Sequence, residues 1–218
     1  MSSGQIAGAV LLGIAGYLLG AIPFGVVIGR WRKGVDLRDH GSGNIGTTNA
    51  YRVLGARAGT LVLFCDIAKG ALPAVLAGHF FAPWLAVILA ALPVIGHLWS
   101  VFLGGRGGKG VATGAGVVVG LMWPVFLIVL ATFLFVLFTA RMVSVASLAA
   151  AVVFPLAVWL TGQALPYLIV SLVLSPLVII AHHANIRRIL NGTEHRLTLS
   201  RHRHDNVAPH GSTGASSS

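Results

Sequence analysis

The sequence predicts an all-α fold: a polytopic transmembrane bundle of seven helices, N-terminus outside and C-terminus in the cytoplasm. Three observations predict it. The chain is 56% hydrophobic and only 9% charged, with mean hydropathy +0.87, whereas a soluble domain carries about 25% charged residues. Its apolar residues gather in runs of membrane-crossing length. Its basic residues fall on one side of the resulting alternation, as cytoplasmic loops require.

Residues 4–29 form the first apolar run, ending at Arg30. At about 26 residues it is too long for a signal-peptide core and reads as a retained span. Residues 31–57 are polar. Apolar runs follow at 58–77, 84–103, 143–161 and 164–183. Between them lies 111–140, which as one helix would be about 45 Å long against a hydrocarbon core of about 30 Å. Met122-Trp123-Pro124 stands in its middle, where proline breaks a helix and tryptophan favours an interface. A hairpin there gives two spans, one of them short, and seven in all. Every Lys and Arg except Lys69 then lies on one side, from Arg30 through Arg106 and Arg141 to Arg203. Without the hairpin the basic residues split between the two sides. Residues 1–200 are thus expected to form one membrane domain, and 201–218 a disordered tail.

The formal charge of +10 would suggest nucleic acid on a soluble protein, but topology accounts for it here. The single Cys65 excludes an internal disulfide, and the chain has no CxxC or Cys/His zinc spacing. No metal, cofactor or obligate protein partner is expected.

Two glycine loops carry the chemistry. Gly41, Gly43 and Gly46 have the G-x-G-x-x-G spacing of a dinucleotide turn, but no buried strand precedes them, and Asp66, at the right distance, sits in an apolar helix. The second loop, GGRGGKG at 104–110, misses the Walker pattern at both ends. Glycines still let backbone N–H groups converge on an anion, helix N-termini favour one, and each loop carries a cation: Arg52, or Arg106 and Lys109. Two phosphates at one interface would suit them. So would two flexible turns with ordinary positive-inside charge; spacing alone does not separate the two. Asp66 and Lys69, three apart, share a helical face and are costly at their depth unless paired. His97 near the second loop, and His182, His183 and Asn185 at the end of the last run, sit at the same level.

In order, these segments resemble the bacterial acyl-phosphate–glycerol-3-phosphate acyltransferase family. The motifs are Gly41-Ser42-Gly43-Asn44-Ile45-Gly46-Thr47-Thr48-Asn49 with Arg52, then Gly96-His97 to Leu103 with Gly107-Gly108-Lys109-Gly110-Val111-Ala112-Thr113, then His182-His183-Ala184-Asn185 through Glu194. Thr47, Trp99-Ser100, Gly104-Gly105 and His183 depart from the usual pattern; at His183 the family has arginine. The resemblance implies acyl transfer from a fatty acyl phosphate to the 1-hydroxyl of glycerol 3-phosphate, giving lysophosphatidic acid and phosphate, in phospholipid synthesis at the bacterial inner membrane with the site facing the cytoplasm. It implies catalytic roles for Ser42, Arg52, Lys109, His182 and Asn185. Substrate or phosphate contacts are expected from Gly41, Gly43, Asn44, Thr48, Asn49, His97, Gly107, Gly108, Gly110 and Thr113. Asp66, Lys69 and Glu194 are expected to be structural.

Acyl phosphate is already activated, so bringing two anions together and stabilising an oxyanion suffices. Direct attack by the glycerol hydroxyl is expected, the departing phosphate or His182 taking the proton; Ser42 lacks a G-x-S-x-G elbow. The rival class is a transporter of an organic phosphate anion. It predicts polar residues near the midplane of several spans, and here all but Asp66 and Lys69 gather at the cytoplasmic face.

Overall fold

The computed structural model describes residues 1–197; the expected tail at 201–218 lies outside them. The regular structure among the described residues is all helical, with short 3₁₀ turns at Leu37–Asp39 and Val101–Leu103. The helices are α1 (Ser3–Ala21), α2 (Phe24–Lys33), α3 (Thr47–Leu54), α4 (Ala56–Phe80), α5 (Pro83–Leu98), α6 (Val111–Leu121), α7 (Trp123–Ala140), α8 (Val143–Leu160), α9 (Leu165–Ala181) and α10 (His183–Leu190). Five stretches are long and apolar enough to cross a membrane: α1, α4, Pro83–Leu103, α7 and α8. The pair α9 and α10, bent by 58°, makes a sixth when taken together. At 11 residues, α6 is about 16 Å long, short of the hydrocarbon thickness. Met122 alone separates it from α7.

The run expected as one span at 4–29 is instead divided. Pro23 has no N–H to give and α1 stops at Ala21, though the residues beyond remain apolar. The carbonyls released at the break are taken up from elsewhere. Ser100 Oγ donates to Ala21 O at 2.6 Å and Lys69 Nζ to Ile22 O at 2.9 Å. In lipid an unanswered carbonyl costs several kcal/mol, so these distant side chains make the break possible. It also frees α2 to turn its basic end, Arg30, Arg32 and Lys33, away from the apolar segments.

Close helix pairs order the bundle. Gly13 meets Leu89 and Leu92, Gly20 meets the backbone of Pro93, and Gly96 meets that of Tyr17 and Ala21. The numbers rise together, so α1 and α5 run parallel. Likewise Gly70 meets Thr113, Gly116 meets Ile67, and Gly120 meets Ala74, so α4 and α6 run parallel. Small residues at such crossings let backbones approach where lipid removes any hydrophobic drive between helices. Ala74, Ala90, Val94, Val117 and Leu174 then fill the centre between α4, α5, α6 and α9. By contrast α7 fully buries only Val125, with Phe126 and Val129 packed against the cluster it shares with α8, and leaves Leu127, Phe135 and Phe138 exposed.

One helix supplies its own control. A Cβ at Gly116 would land on the carbonyl oxygen of Ile67, whereas one at Gly114 would meet nothing within 4 Å. Gly116→Leu is expected to destabilise by about 3 kcal/mol or more, the upper range for overpacking. Gly114→Leu should leave thermal unfolding in detergent unchanged. Equal unfolding temperatures for the two variants would refute the close α4–α6 contact.

Candidate active site

The first loop is shaped from behind by Asn49, in the opening turn of α3 and 1% exposed. Its Nδ2 donates to the carbonyls of Leu37 (3.1 Å), His40 (2.9 Å) and Asn44 (2.9 Å), and its Oδ1 accepts the N–H of Ser42 at 2.9 Å. That amide is fully used in folding residues 37–44 and offers nothing to a ligand. Asn44 Oδ1 accepts the N–H of Gly46 at 2.9 Å. Upstream, the Asp36 carboxylate accepts from Arg38 at 2.7 and 3.0 Å and from Arg30 at 2.9 Å. The Arg38 bond above all holds Asp36 below the usual carboxylate range. Ser42 and Gly43 remain exposed at the tip of this braced turn.

The second loop is folded onto the end of α5. Tyr17 donates its hydroxyl to Trp99 O at 2.9 Å, and Gly105 N–H reaches Ser100 O at 2.8 Å. Gly108 donates its N–H to His97 O at 2.9 Å. The α-carbon of Gly107 lies against the carbonyls of His97 and Leu98, and that of Gly108 against the His97 ring. No side chain fits at either place. Lys109 therefore leaves the loop in a fixed direction, and its ammonium donates to Asn185 Oδ1.

The third segment closes the arrangement. His182 stands at the bend between α9 and α10, 2% exposed, with Nδ1 2.7 Å from Val178 O. Asn185 passes the contact from Lys109 onward: its Nδ2 donates to Glu194 Oε1 at 2.7 Å. Glu194 also accepts from Ser144 Oγ at 2.9 Å and Arg188 Nε at 2.7 Å. Burial works against its charge, but these three bonds outweigh it and hold the carboxyl below its ordinary range. The Lys109 ammonium is pulled down to about 8, by burial first and then by the nearby charge of Arg188, with Arg52 adding to it and Glu194 opposing.

All three segments meet at one open cleft of about 390 Å³. Ser42, Gly43 and Asn44 line one side, Gly107, Gly108 and Lys109 a second, and Asn185 a third. The other expected residues do not line it. Asn49, His97 and Gly110 are buried behind the loops, Gly41 is exposed in the first loop, and Thr113 is buried with its hydroxyl unpartnered. Thr48 and Arg52 are exposed on α3, although the Arg52 charge is felt at Lys109. His182 sits one residue behind the lining residue His183. Sequence reasoning gave no individual role to Trp99, His183 or Arg188, which do line the cleft. Arg188 lay inside the third motif, and its cleft-ward placement at i+3 from Asn185 on α10 was the available signal. On its membrane side the cleft is apolar, between Leu98 of α5 and Leu177 and Ile180 of α9.

The chain as a whole is similar to known proteins in sequence and in fold. A family model described as glycerol-3-phosphate acyltransferase matches residues 10–192. The glycerol-3-phosphate acyltransferase of Parasynechococcus marenigrum (strain WH8102) is 44% identical over 190 residues, 87% of this chain and 90% of that one. That of Synechococcus sp. (strain JA-2-3B'a(2-13)) is 46% identical over 189 residues, 87% and 94%. The crystal structure of PlsY (YgiH), an integral membrane glycerol 3-phosphate acyltransferase, superposes in its glycerol 3-phosphate form with a TM-score of 0.85 at 41% identity, covering 88% of this chain and 96% of that one. Its lysophosphatidic acid form gives 0.83 at 40% identity with the same coverage.

Proposed function

The chain belongs to the glycerol-3-phosphate acyltransferase family, and from that premise we propose that its cleft joins a fatty acyl phosphate to glycerol 3-phosphate at the cytoplasmic face of the inner membrane. It is a multi-pass membrane enzyme that acylates glycerol 3-phosphate to lysophosphatidic acid. The donor, the sidedness and the residue roles are the proposal. One observation carries it: both glycine loops and the Lys109–Asn185–Glu194 chain of contacts face the same cleft.

Lys109, Arg188 and Arg52 supply positive charge, and the glycine backbones supply N–H groups that cost no reorganisation. Two phosphates are thereby held within reach of one another. The 1-hydroxyl oxygen attacks the acyl carbonyl carbon, the C–O bond to phosphate breaks, and the hydroxyl proton leaves with the phosphate or by way of His182. Ser42 and Asn185 orient the reacting groups, while Asn49 and Glu194 hold the segments that present them. The acyl tail extends between α5 and α9 into lipid.

Seven crossings fit this reading, in the order α1, α4, α5, α6, α7, α8, α9, with α6 a short one. The parallel pairs α1–α5 and α4–α6 are what alternating crossings require from either starting side, and the basic loops favour an outside N-terminus. The loops that carry the basic residues then share the cytoplasmic side.

The direct test is acylation by purified protein in detergent with acyl phosphate and glycerol 3-phosphate, and acyl-CoA as the control donor. Product from acyl phosphate alone is expected. No product, with phosphate uptake into vesicles instead, would point to a transporter; a covalent acyl group trapped on Ser42 would replace direct attack.

The same assay has a pH signature. Lys109 must be charged to hold phosphate, and its ammonium titrates at about 8. It is protonated below that value and neutral above it. For the free enzyme, kcat/KM for glycerol 3-phosphate should be flat from about pH 7 to 8, above the second phosphate ionisation near pH 6, and fall about tenfold per pH unit above that plateau. The corresponding limb in kcat should lie higher, because bound phosphate favours the cation. A kcat/KM profile flat to pH 9.5 would remove Lys109 from phosphate binding.

A further inference from the structure

We propose that Asp66 is a positioning residue for glycerol 3-phosphate, acting through the His97 ring on the backbone of Gly107 and Gly108. This rests on the reading above that the second loop holds a phosphate, taken here as that of glycerol 3-phosphate, as the family resemblance of its motif implies. Asp66 and Lys69 are each 2% exposed, and His97 4%. Three ionisable side chains so deep in a membrane bundle are expensive unless each has a task. Lys69 has two: its Nζ is 2.8 Å from Asp66 Oδ1 and donates to the Ile22 carbonyl at the α1 break. That contact would need only a donor, not a carboxylate beside it.

The carboxylate faces a second group. Asp66 Oδ1 stands 3.9 Å from His97 Nδ1, and His97 Nδ1 is buried with no hydrogen-bond partner. Leaving such a nitrogen unmatched is costly. Contacts of this kind are often long without substrate and tighten in the complex. On its other side His97 touches the phosphate loop twice. Its carbonyl accepts the Gly108 N–H at 2.9 Å, and its Nε2 abuts the α-carbon of Gly108. The ring is therefore a spacer between Asp66 and the loop. With Nδ1–H turned to Asp66 the ring has one orientation, and the Gly107–Gly108 backbone beside Lys109 has one place to lie. Asp66 touches no substrate in this account; it fixes the residue on which the loop rests.

The test is a double-mutant cycle on the full chain in detergent: wild type, Asp66→Asn, His97→Gln and the two together. KM for glycerol 3-phosphate, KM for acyl phosphate and thermal unfolding are measured for each. Asp66→Asn is expected to raise KM for glycerol 3-phosphate about tenfold and to leave that for acyl phosphate within about twofold. Added to His97→Gln it should change neither, since its effect passes through the ring. A general structural role would move both constants, or add in the double variant, and either result overturns the proposal. So does an unchanged KM for glycerol 3-phosphate. Because Asp66→Asn leaves Lys69 without its carboxylate, Asp66→Asn/Lys69→Met is run through the same cycle. If neither form folds, the pair is structural only and the proposal fails. A wild-type chain that acylates nothing would sink the functional reading instead, whereas wild-type turnover with additive variants sinks this inference alone.

Discussion

Lys109→Ala is expected to lower kcat/KM for glycerol 3-phosphate about a thousandfold, the scale for removing a preorganised donor from a reacting anion. The protein should remain folded. The Lys109 ammonium makes one hydrogen bond, to Asn185, and that amide keeps its second contact with Glu194, so the third segment stays braced by its own Arg188–Glu194 pair and anchored to Ser144 of α8. What is lost is the partly buried cation that burial and Arg188 already destabilise and that an arriving phosphate would relieve. Burial makes the charge costly and a bound phosphate would compensate it, which makes its contribution specific to the complex. Lys109→Arg should recover part of the loss, because charge returns but a planar fork replaces a point donor. Arg52→Ala probes the same field from the exposed side and should also lose turnover. The check is steady-state kinetics beside thermal unfolding. Near-normal rates for Lys109→Ala would undo its assignment, and a collapse in unfolding temperature would make it structural.

The membrane character, the two glycine loops and the break at Met122 were legible in the sequence because each is local. Composition, spacing and a Trp-Pro pair report on their own neighbourhoods. The break at Pro23 was not. Phe24-Gly25-Val26-Val27-Ile28-Gly29 continues the apolar run, and what permits the helix to stop is Lys69, 47 residues away, and Ser100, 79 away. The same limit governs the site. Motif membership brings Asn49 forward as a substrate contact and Asn185 as a catalytic residue, yet one amide is spent on the carbonyls of its own loop and the other faces Lys109. Only tertiary partners distinguish them. Asp66 and Lys69 were readable as a pair from their i, i+3 spacing, but not the carbonyl that Lys69 caps or the imidazole that Asp66 faces. Trp99 and His183 stand out as departures within their motifs, but nothing local shows that they line the cleft, since an aromatic at an interface and a histidine at a helix bend are ordinary in membrane proteins.

Gly107→Val is expected to reduce turnover at least about a hundredfold while the chain still inserts and folds, and Gly104→Ala to cost little. The contrast lies within one seven-residue loop. A Cβ at Gly107 would strike the carbonyl oxygens of both His97 and Leu98. Those are backbone atoms at the end of α5, held by Trp99 N–H bonding to Ile95 O and by Gly108 N–H bonding to His97 O, so they cannot step aside as a side-chain tip could. The loop itself must move, and with it Gly108 and the root of Lys109, which shifts the ammonium from the cleft by a distance that matters at reacting geometry. The helices do not depend on this loop for their packing: the crossings of α1 with α5 and of α4 with α6 are made at Gly20, Gly96, Gly70 and Gly116. Gly104, at φ +61°, and Gly105, at φ +80°, have nothing within 4 Å of a would-be Cβ. There the requirement is only for a left-handed backbone, worth about 1–2 kcal/mol for alanine, and the turn is at the exposed tip. Kinetics and unfolding of Gly107→Val, Gly108→Ala and Gly104→Ala, compared under one set of conditions, decide the matter. If all three variants lose activity alike, flexibility of the whole loop is what the enzyme needs. If only the first two do, the glycines at 107 and 108 are there because a phosphate-binding backbone rests directly on the end of α5.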